Sequence, residues 1–466
     1  MKKKYDMALF IFRRDLRIDD NTGLIAAQTS ATTVLPCFII DPAQVTKRNH
    51  YKSNNALQFM FESLLDLTKQ FEKRGGRLYL FYGKPSTAVQ AIVKQTKAEA
   101  VFVNRDYTPY NQQRDQQIAA ACTKSHVDWC VFADALLHEP EMVTKKDGSP
   151  YTIFTPFFKR ARTFAVRPVQ PKPKKNGWFT KPLKGQQKPA LFKKLLPTTN
   201  KSLWVNGGRA STLRRLKGLK RFTGYAKKHD YPEYATTGLS AHLKFGTCSI
   251  REVYAAIANE LGLAHPLIRQ LYWRDFFTHI AYHFPAVFGN PFHATYQKLT
   301  WQNKAAWFKA WCNGTTGFPI VDAGMRQLNA TGFMHNRVRM VVASFLTKDL
   351  HIDWQWGERY FAQKLVDYDP SVNNGNWQWA ASTGCDAQPY FRIFNPWIQQ
   401  KRFDPQCAYI KQWVPELKAL TARQIHAWPK TAKTVKTGYP KPLVDHATEA
   451  AVALRLYRKA AQKRKI

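Results

Sequence analysis

Paired cysteines are the first thing this sequence lacks. Its 466 residues hold seven cysteines (Cys37, Cys122, Cys130, Cys248, Cys312, Cys385 and Cys407) and no C-x-x-C pair. That spacing argues against a disulfide framework or a structural zinc site and suits a reducing compartment. Acid is also scarce: 32 Asp and Glu stand against 71 Lys and Arg, a net charge of +39. Such an imbalance favours a polyanionic partner, either nucleic acid or an acidic membrane surface. No apolar run approaches the length of a membrane span. The basic start, "MKKKYDMALFIFRRDLR", breaks its apolar run too early for a signal peptide. A soluble, cytoplasmic protein is expected. There is no Walker loop, no G-x-S-x-G elbow and no zinc-ligand spacing, so no metal is expected. No repeat recurs at solenoid periods.

What is present is aromatic and divided. Aromatic residues make up 14% of the chain, with 14 tryptophans and 30 phenylalanines, and the length calls for two or three domains. Short apolar runs at 7–12, 32–40, 77–82, 99–104 and 128–133 read as buried strands. Between the second and third, residues 55–74 have helical periodicity and stop at Gly75-Gly76. Alternation of this kind predicts a parallel sheet covered by helices. The first strand runs into "FRRDLRIDDN" rather than G-x-G-x-x-G, which weakens a dinucleotide-binding reading. Residues 166–189 are Pro- and Lys-rich and read as an extended, solvated strap. Beyond 230, amphipathic helices take over and end in a basic helical tail. The fold class is α/β: an N-terminal parallel-sheet domain (1–135), a connector (136–225) and a larger all-helical domain (226–466).

Three stretches can carry chemistry. In "TGFMHNRVRMVVASFL", Asn336 and Met340 stand i and i+4 on one helical face, with Arg337 and Arg339 to other sides. In "LVDYDPSVNNGNWQWAAS", Asp367 and Asp369 precede what reads as a polar bend bearing Trp377 and Trp379. Asp367 can pair with a guanidinium such as Arg339, and Asp369 can accept from nucleotide hydroxyls. Both acids are also ordinary helix caps. In "ATTGLSAHL", hydroxyls and a glycine before a helix suit a phosphate held on backbone N–H groups, or a plain cap. His335 and His351 are isolated and read as structural. Rings, nucleotide-friendly groups and positive charge together suggest a cofactor that does the difficult chemistry and a polyanionic substrate.

The sequence resembles the DNA photolyases of the photolyase/cryptochrome flavoproteins along nearly its whole length. The resemblance runs from "FIFRRDLRIDDN" through "QLYWRDFF", "GFPIVDAGMRQLNATGFMHNRVRM" and "NNGNWQWAASTGCDAQPYFRIFNPW" to "YIKQWVPEL". It implies FAD, active when reduced, in the helical half. The implied contacts are Tyr225, Thr236, Thr237, Gly238, Leu239, Ser240, Arg274, Arg339, Asp367, Asp369 and Asn373, with Asn373 facing flavin N5. It implies an electron-transfer chain from Trp377 through Trp354 to Trp301 that photoreduces the cofactor. Trp273 and Trp379 would stack on a flipped-out lesion. The implied DNA contacts further include His229, Arg274, Asn336, Arg337, Arg392, Gln399, Lys401 and Arg402.

The branch rests on Asn336 and Met340. Photolyases for (6-4) lesions carry proton-donating histidines there, whereas a cyclobutane pyrimidine dimer needs only an electron lent and returned. The implied activity is therefore light-driven splitting of cyclobutane pyrimidine dimers in DNA by a class I enzyme acting as a monomer. This chain departs from the common pattern at Gln270 (often Glu), Phe333 (often Trp), His229 (often Arg) and Thr108 (an acid in folate-binding relatives). A second, antenna chromophore of folate or deazaflavin type is compatible with the resemblance, and its identity stays open. The rival readings are a cryptochrome-like blue-light receptor, a (6-4) photolyase and a basic nucleic-acid-binding protein without cofactor. The short basic tail favours the enzyme.

Overall fold

The computed structural model describes residues 3–173 and 176–462. Met1, Lys2, Lys174 and Lys175, together with the last four residues of the basic tail, lie outside the described residues. Five strands form one parallel sheet: β1 (Tyr5–Phe12), β2 (Ala31–Ile40), β3 (Tyr79–Tyr82), β4 (Ala100–Asn104) and β5 (Asp128–Phe132). Their order is β3-β2-β1-β4-β5, and Phe10 of β1 sits opposite Pro36 of β2 and Phe102 of β4. Parallel strands need helical crossovers, which cover both faces and explain the near-continuous apolar runs of β1, β2 and β4. β5 differs from expectation. It reads as buried, yet it is the edge strand, and Val131 is 44% exposed with no strand pairing beyond it among the described residues.

The Asn54–Glu72 helix is capped by Ser53, whose hydroxyl accepts from Ala56 N at 3.1 Å and donates to Leu365 O at 2.9 Å. One residue therefore starts a helix of the sheet domain and fastens it to the helical domain. The connector is less separate than its composition implies. Its Phe154–Ala161 helix places Phe154 and Phe157 in the same apolar cluster as Phe276, Phe277 and Ile280. Its strap is not merely solvated either. Val34 N donates to Gly177 O at 2.8 Å and Phe179 N to Val34 O at 2.9 Å, so the strap extends the sheet beside β2.

The two halves meet through buried charge. Arg17, Asp20, Asp134 and Arg251 are each nearly inaccessible. Arg17 donates to Asp134 at 2.5 Å, and Arg251 donates to Asp134 at 2.7 Å and to Asp20 at 3.0 Å. Asp134 also accepts from Thr22 N and Oγ1 at 3.1 and 2.8 Å. Burial alone would raise the Asp134 carboxyl, but Arg17 and Arg251 outweigh it and hold its pKa below the ordinary range. Leu16 N closes the seam on Phe245 O at 2.9 Å. Gly246, at φ +65°, follows it, and a Cβ there would lie 2.1 Å from Arg14 O, so this position requires glycine.

Removing one partner from a buried pair leaves uncompensated charge and costs about 3–5 kcal/mol. Asp134→Asn should accordingly lower the urea midpoint of the tryptophan fluorescence transition at pH 7. Asp134 stabilises the fold fully above the ordinary carboxylate pKa, and that contribution drains as pH falls toward its depressed folded value. The gap between Asp134→Asn and the parent should therefore narrow in acid.

Candidate flavin and nucleic-acid site

The stretch "NNGNWQW" is not a bend. It lies inside the Pro370–Ala380 helix, with Pro370 at its first position and Asp369 as its cap, accepting from Ser371 N at 3.1 Å and Val372 N at 3.3 Å. Asp369, Asn373 and Trp377 are spaced i, i+4 and i+8 and share one face, about 12 Å from end to end. Trp379 projects from another side. One short helix thus sorts these residues, with Asn373 and Trp377 buried and Trp379 half-buried.

Trp377 meets Phe361 edge-on at 5.0 Å and Trp311 at 6.1 Å. Its ring fills the space over Gly357, where a Cβ would come within 2.2 Å of it. Trp354 opens the Trp354–Lys364 helix and is as deeply buried as Trp377. Trp301 is half-buried on the same cluster and touches Tyr457 edge-on at 6.5 Å. The structure therefore brings the three tryptophans to one aromatic core that reaches toward the surface.

Arg339 pairs with Asp367 at 3.1 Å, and its Nε donates to Met334 O at 2.8 Å. Asn373 Nδ2 donates to Glu358 O at 3.1 Å, which leaves its side-chain oxygen available to a ligand. Asp369 does more than cap. Arg14, from the opening motif, pairs with it and also with Asp106 at 3.4 Å. Burial would raise Asp369, but Arg14, Lys244 and Arg274 together drive its pKa below the ordinary range. Arg274 donates to Ala135 O at 2.7 Å. Lys244 has no hydrogen-bond acceptor among the described residues, and burial and the nearby Arg14 lower its pKa to about 8.

Gly238 takes φ +62° between Thr237, whose carbonyl accepts from Arg215 at 3.2 Å, and the buried Leu239. Leu239 caps the Ser240–Phe245 helix without a side-chain bond, Thr236 is half-buried and Ser240 is exposed. Tyr225 lies against His229 at 5.2 Å and His265 at 6.0 Å, and burial pushes its phenol up to about 12.

Asn336 begins the Asn336–Ser344 helix, but the cap is His335, which accepts from Arg337 N at 3.2 Å. The helix ends nine residues on and passes into a π turn at Phe345–Asp349. Asn336 is exposed and Met340 half-exposed, while Val338, Val341 and Val342 fill the core, so Met340 is not core filler. Gln270, Trp273 and Arg274 lie on neighbouring turns of the Pro266–His283 helix, and Gln270 is exposed.

Two expectations shift. Trp273 stacks face to face on Phe154 at 3.5 Å and meets Phe277 at 5.6 Å, so much of its ring is already covered, while Trp379 meets Phe394 at 6.5 Å. Arg337 is not a free cation: it pairs with Asp230 at 2.7 Å, an acid it shares with His229 at 3.1 Å. Arg392, Lys401 and Arg402 are exposed, and Gln399 is half-buried. Beside them Phe391 and Ile398 are 66% and 61% exposed, an apolar element among the basic residues that composition does not disclose.

Sequence reading also misses Arg14, Lys244 and Glu358. For Arg14 the available signal was the double arginine of the opening motif. Glu358 is buried, accepts from Asn374 at 3.2 Å, and its carboxyl is raised to about 7 by burial against that bond and Arg359.

Among the described residues no three His, Cys, Asp or Glu gather to hold a metal, and no helix is long and apolar enough to cross a membrane. Residues 8–175 match the family model described as DNA photolyase, and residues 267–459 match the FAD binding domain of DNA photolyase. A deoxyribodipyrimidine photo-lyase of Vibrio cholerae is 39% identical, over 97% of this chain and all of its own length. An archaeal photolyase structure from Sulfolobus tokodaii, with two FAD molecules, is 41% identical with a TM-score of 0.88, covering 97% of this chain and 100% of that one. A bacterial class III photolyase structure from Agrobacterium tumefaciens is 33% identical with a TM-score of 0.90, covering 99% of each. This chain belongs to the photolyase/cryptochrome family.

Glu358 yields a pH prediction. Its folded pKa is raised, so it contributes stability that is present below the ordinary glutamate value and lost as pH rises through about 7. Glu358→Gln should flatten the fall in thermal midpoint between pH 5 and pH 8, removing on the order of 2 kcal/mol of pH dependence. Thermal melts at both pH values check it.

Proposed function

We propose that this protein is a light-dependent DNA-repair enzyme that splits cyclobutane pyrimidine dimers, working as a monomer in the cytoplasm. The observation that carries the reading is the single helical face bearing Asp369, Asn373 and Trp377, with the Arg339–Asp367 pair beside it. The chain's residues suit FAD: Lys244 sits beside Arg14 and Arg274 and has no acceptor among the described residues. An anionic pyrophosphate would supply one.

These residues would hold reduced FAD, whose chemistry would be the loan of one electron to the lesion under blue or near-UV light. The protein's own residues set the conditions. In our reading Tyr225, the Thr236–Ser240 segment, Arg274, Arg339, Asp367 and Asp369 hold the cofactor, and Asn373 turns its free amide oxygen toward the ring. Trp377, Trp354 and Trp301 pass electrons inward to keep it reduced, because an indole gives up an electron readily and the buried rings exclude water. Asn336 and Met340 wall the lesion pocket with groups that carry no transferable proton at neutral pH. Trp273 and Trp379 support a flipped base. Gln270 offers a neutral amide to the lesion. Arg392, Gln399, Lys401 and Arg402 hold DNA phosphates, with His229 and Arg337 held at the rim by Asp230.

Six of the seven cysteines are buried and all are unpaired, which fits a reducing compartment. A second, antenna chromophore belongs to the proposal without an assigned type. The Sulfolobus relative holds two FAD molecules.

The direct test is illumination of chemically reduced protein with a dimer-containing oligonucleotide, read as restored thymine absorbance. A flavin-loaded, reduced protein that leaves the dimer intact would instead point to a light receptor. Met340→His should lower the repair quantum yield. Trp377→Phe should slow photoreduction of oxidised flavin at least tenfold while leaving repair by pre-reduced protein nearly unchanged. Both are read by absorbance during illumination. Affinity for dimer-containing DNA should fall linearly on a log–log salt plot, with a slope reduced by about 2 in Lys401→Ala/Arg402→Ala.

A further inference from the structure

A second basic site lies outside this constellation. Trp204, Asn206, Ser211, Arg214, Arg215 and Arg221 line an open surface hollow of about 350 Å³, and none of them is among the expected cofactor or DNA contacts. Arg214 and Arg215 sit on the Arg209–Lys217 helix, and Arg221 lies on the short turn of helix Leu219–Phe222 that follows it. Among the described residues none of the three ion-pairs with an acid. Their mutual repulsion shows at Arg215, whose pKa is lowered by burial and then by Arg221 and Arg214. A folded protein ordinarily disperses three guanidiniums or pairs them with carboxylates, because like charges facing one hollow raise its energy.

Arg214 and Arg221 are exposed, and the inner part of the wall is fixed in place. Arg215 is half-buried and is held through NH1 by Thr237 O at 3.2 Å. Trp204 stacks on Phe333 at 4.6 Å with the planes 9° apart, and its backbone N–H is held by Thr331 O at 3.0 Å. Ser211 and Asn206 add neutral donors. The side-chain N–H groups of Trp204 (Nε1) and Arg215 (Nε) are buried without an acceptor among the described residues, so the wall has donors to spare.

We propose that this hollow binds a multivalent phosphate anion, such as the di- or triphosphate group of a free nucleotide. Guanidiniums match phosphate geometrically, and several of them around one concavity reward charge of two or more over a single charge. The concavity favours a free anion over a DNA backbone, which follows a groove or a convex ridge of cations. Through Arg215 the site adjoins Thr237 and Gly238, so an occupant would sit behind the segment expected to hold the cofactor phosphates. Anion binding here does not depend on repair and is measured in the dark.

The test is calorimetric titration of flavin-loaded protein with inorganic tripolyphosphate at near-physiological salt. Arg214→Ala/Arg221→Ala is compared with Lys401→Ala/Arg402→Ala, and Arg215 is left intact because it supports Thr237. Expected are saturable one-to-one binding to the parent, weakening of tenfold or more in the first variant, and little change in the second. The flavin content of each variant, read by absorbance, reports that the fold is kept. Absence of saturable binding, or equal loss in both variants, overturns the proposal. So does failure to bind tripolyphosphate while Arg214→Ala/Arg221→Ala weakens binding of undamaged duplex, which would assign these arginines to the DNA backbone.

Discussion

The structure depends on a carboxylate–guanidinium lattice sealed between its two halves. Charges this deep are tolerable only when each is matched, and here the matching runs across the seam. Asp20 and Asp134 come from the sheet domain, Arg251 from the helical domain, and Arg17 from the loop after β1. Such a lattice contributes little net stability over an apolar packing of the same shape. What it supplies is position, because one displaced partner strands the others. Beside that lattice, Arg14 reaches across the seam to Asp369 and so registers the sheet domain against the cap of the helix on which the proposed chemistry rests.

That helix contains several poor helix formers, and most of them have work elsewhere. Asn373 and Asn374 donate to Glu358, Asn374 also to Val287 O, and Gln378 to Val287 O and Asn290 O. Gly375 admits Phe277, which would lie 2.1 Å from a Cβ there. Intrinsic propensity disfavours the segment by several tenths of a kcal/mol per residue, and tertiary hydrogen bonds with close packing outweigh it. Gly357, on the facing Trp354–Lys364 helix, lets the Trp377 ring lie against it, and Asn373 keeps one free amide oxygen.

These features explain what could be read in advance and what could not. The sheet domain was legible because parallel strands write themselves as apolar runs, although β5 looked buried when only its edge position decides its exposure. The helix at 370–380 was hidden because Asn and Gly signal a turn locally; the better clue was Asp369-Pro370, a cap and a first-turn proline. The Arg339–Asp367 pair was within reach of spacing and charge. Arg14–Asp369 was not, since 355 residues separate its members. Arg337 looked like a free cation because sequence cannot show that Asp230 lies beside it. Most of the other expected roles came from family resemblance, and the structure supplies their placement rather than their chemistry.

The seam also has a direction in time. Domains emerge from the ribosome N-terminal end first, so Asp20, Asp134 and Arg17 are made more than a hundred residues before Arg251. Of the lattice's two arginines only Arg17 exists in that interval, against both Asp20 and Asp134. Arrival of Arg251 and of the Leu16–Phe245 bond completes the seam. The first half of the polypeptide is thus born with a vacancy shaped for the second, a built-in order of assembly that joins the two parts the right way round.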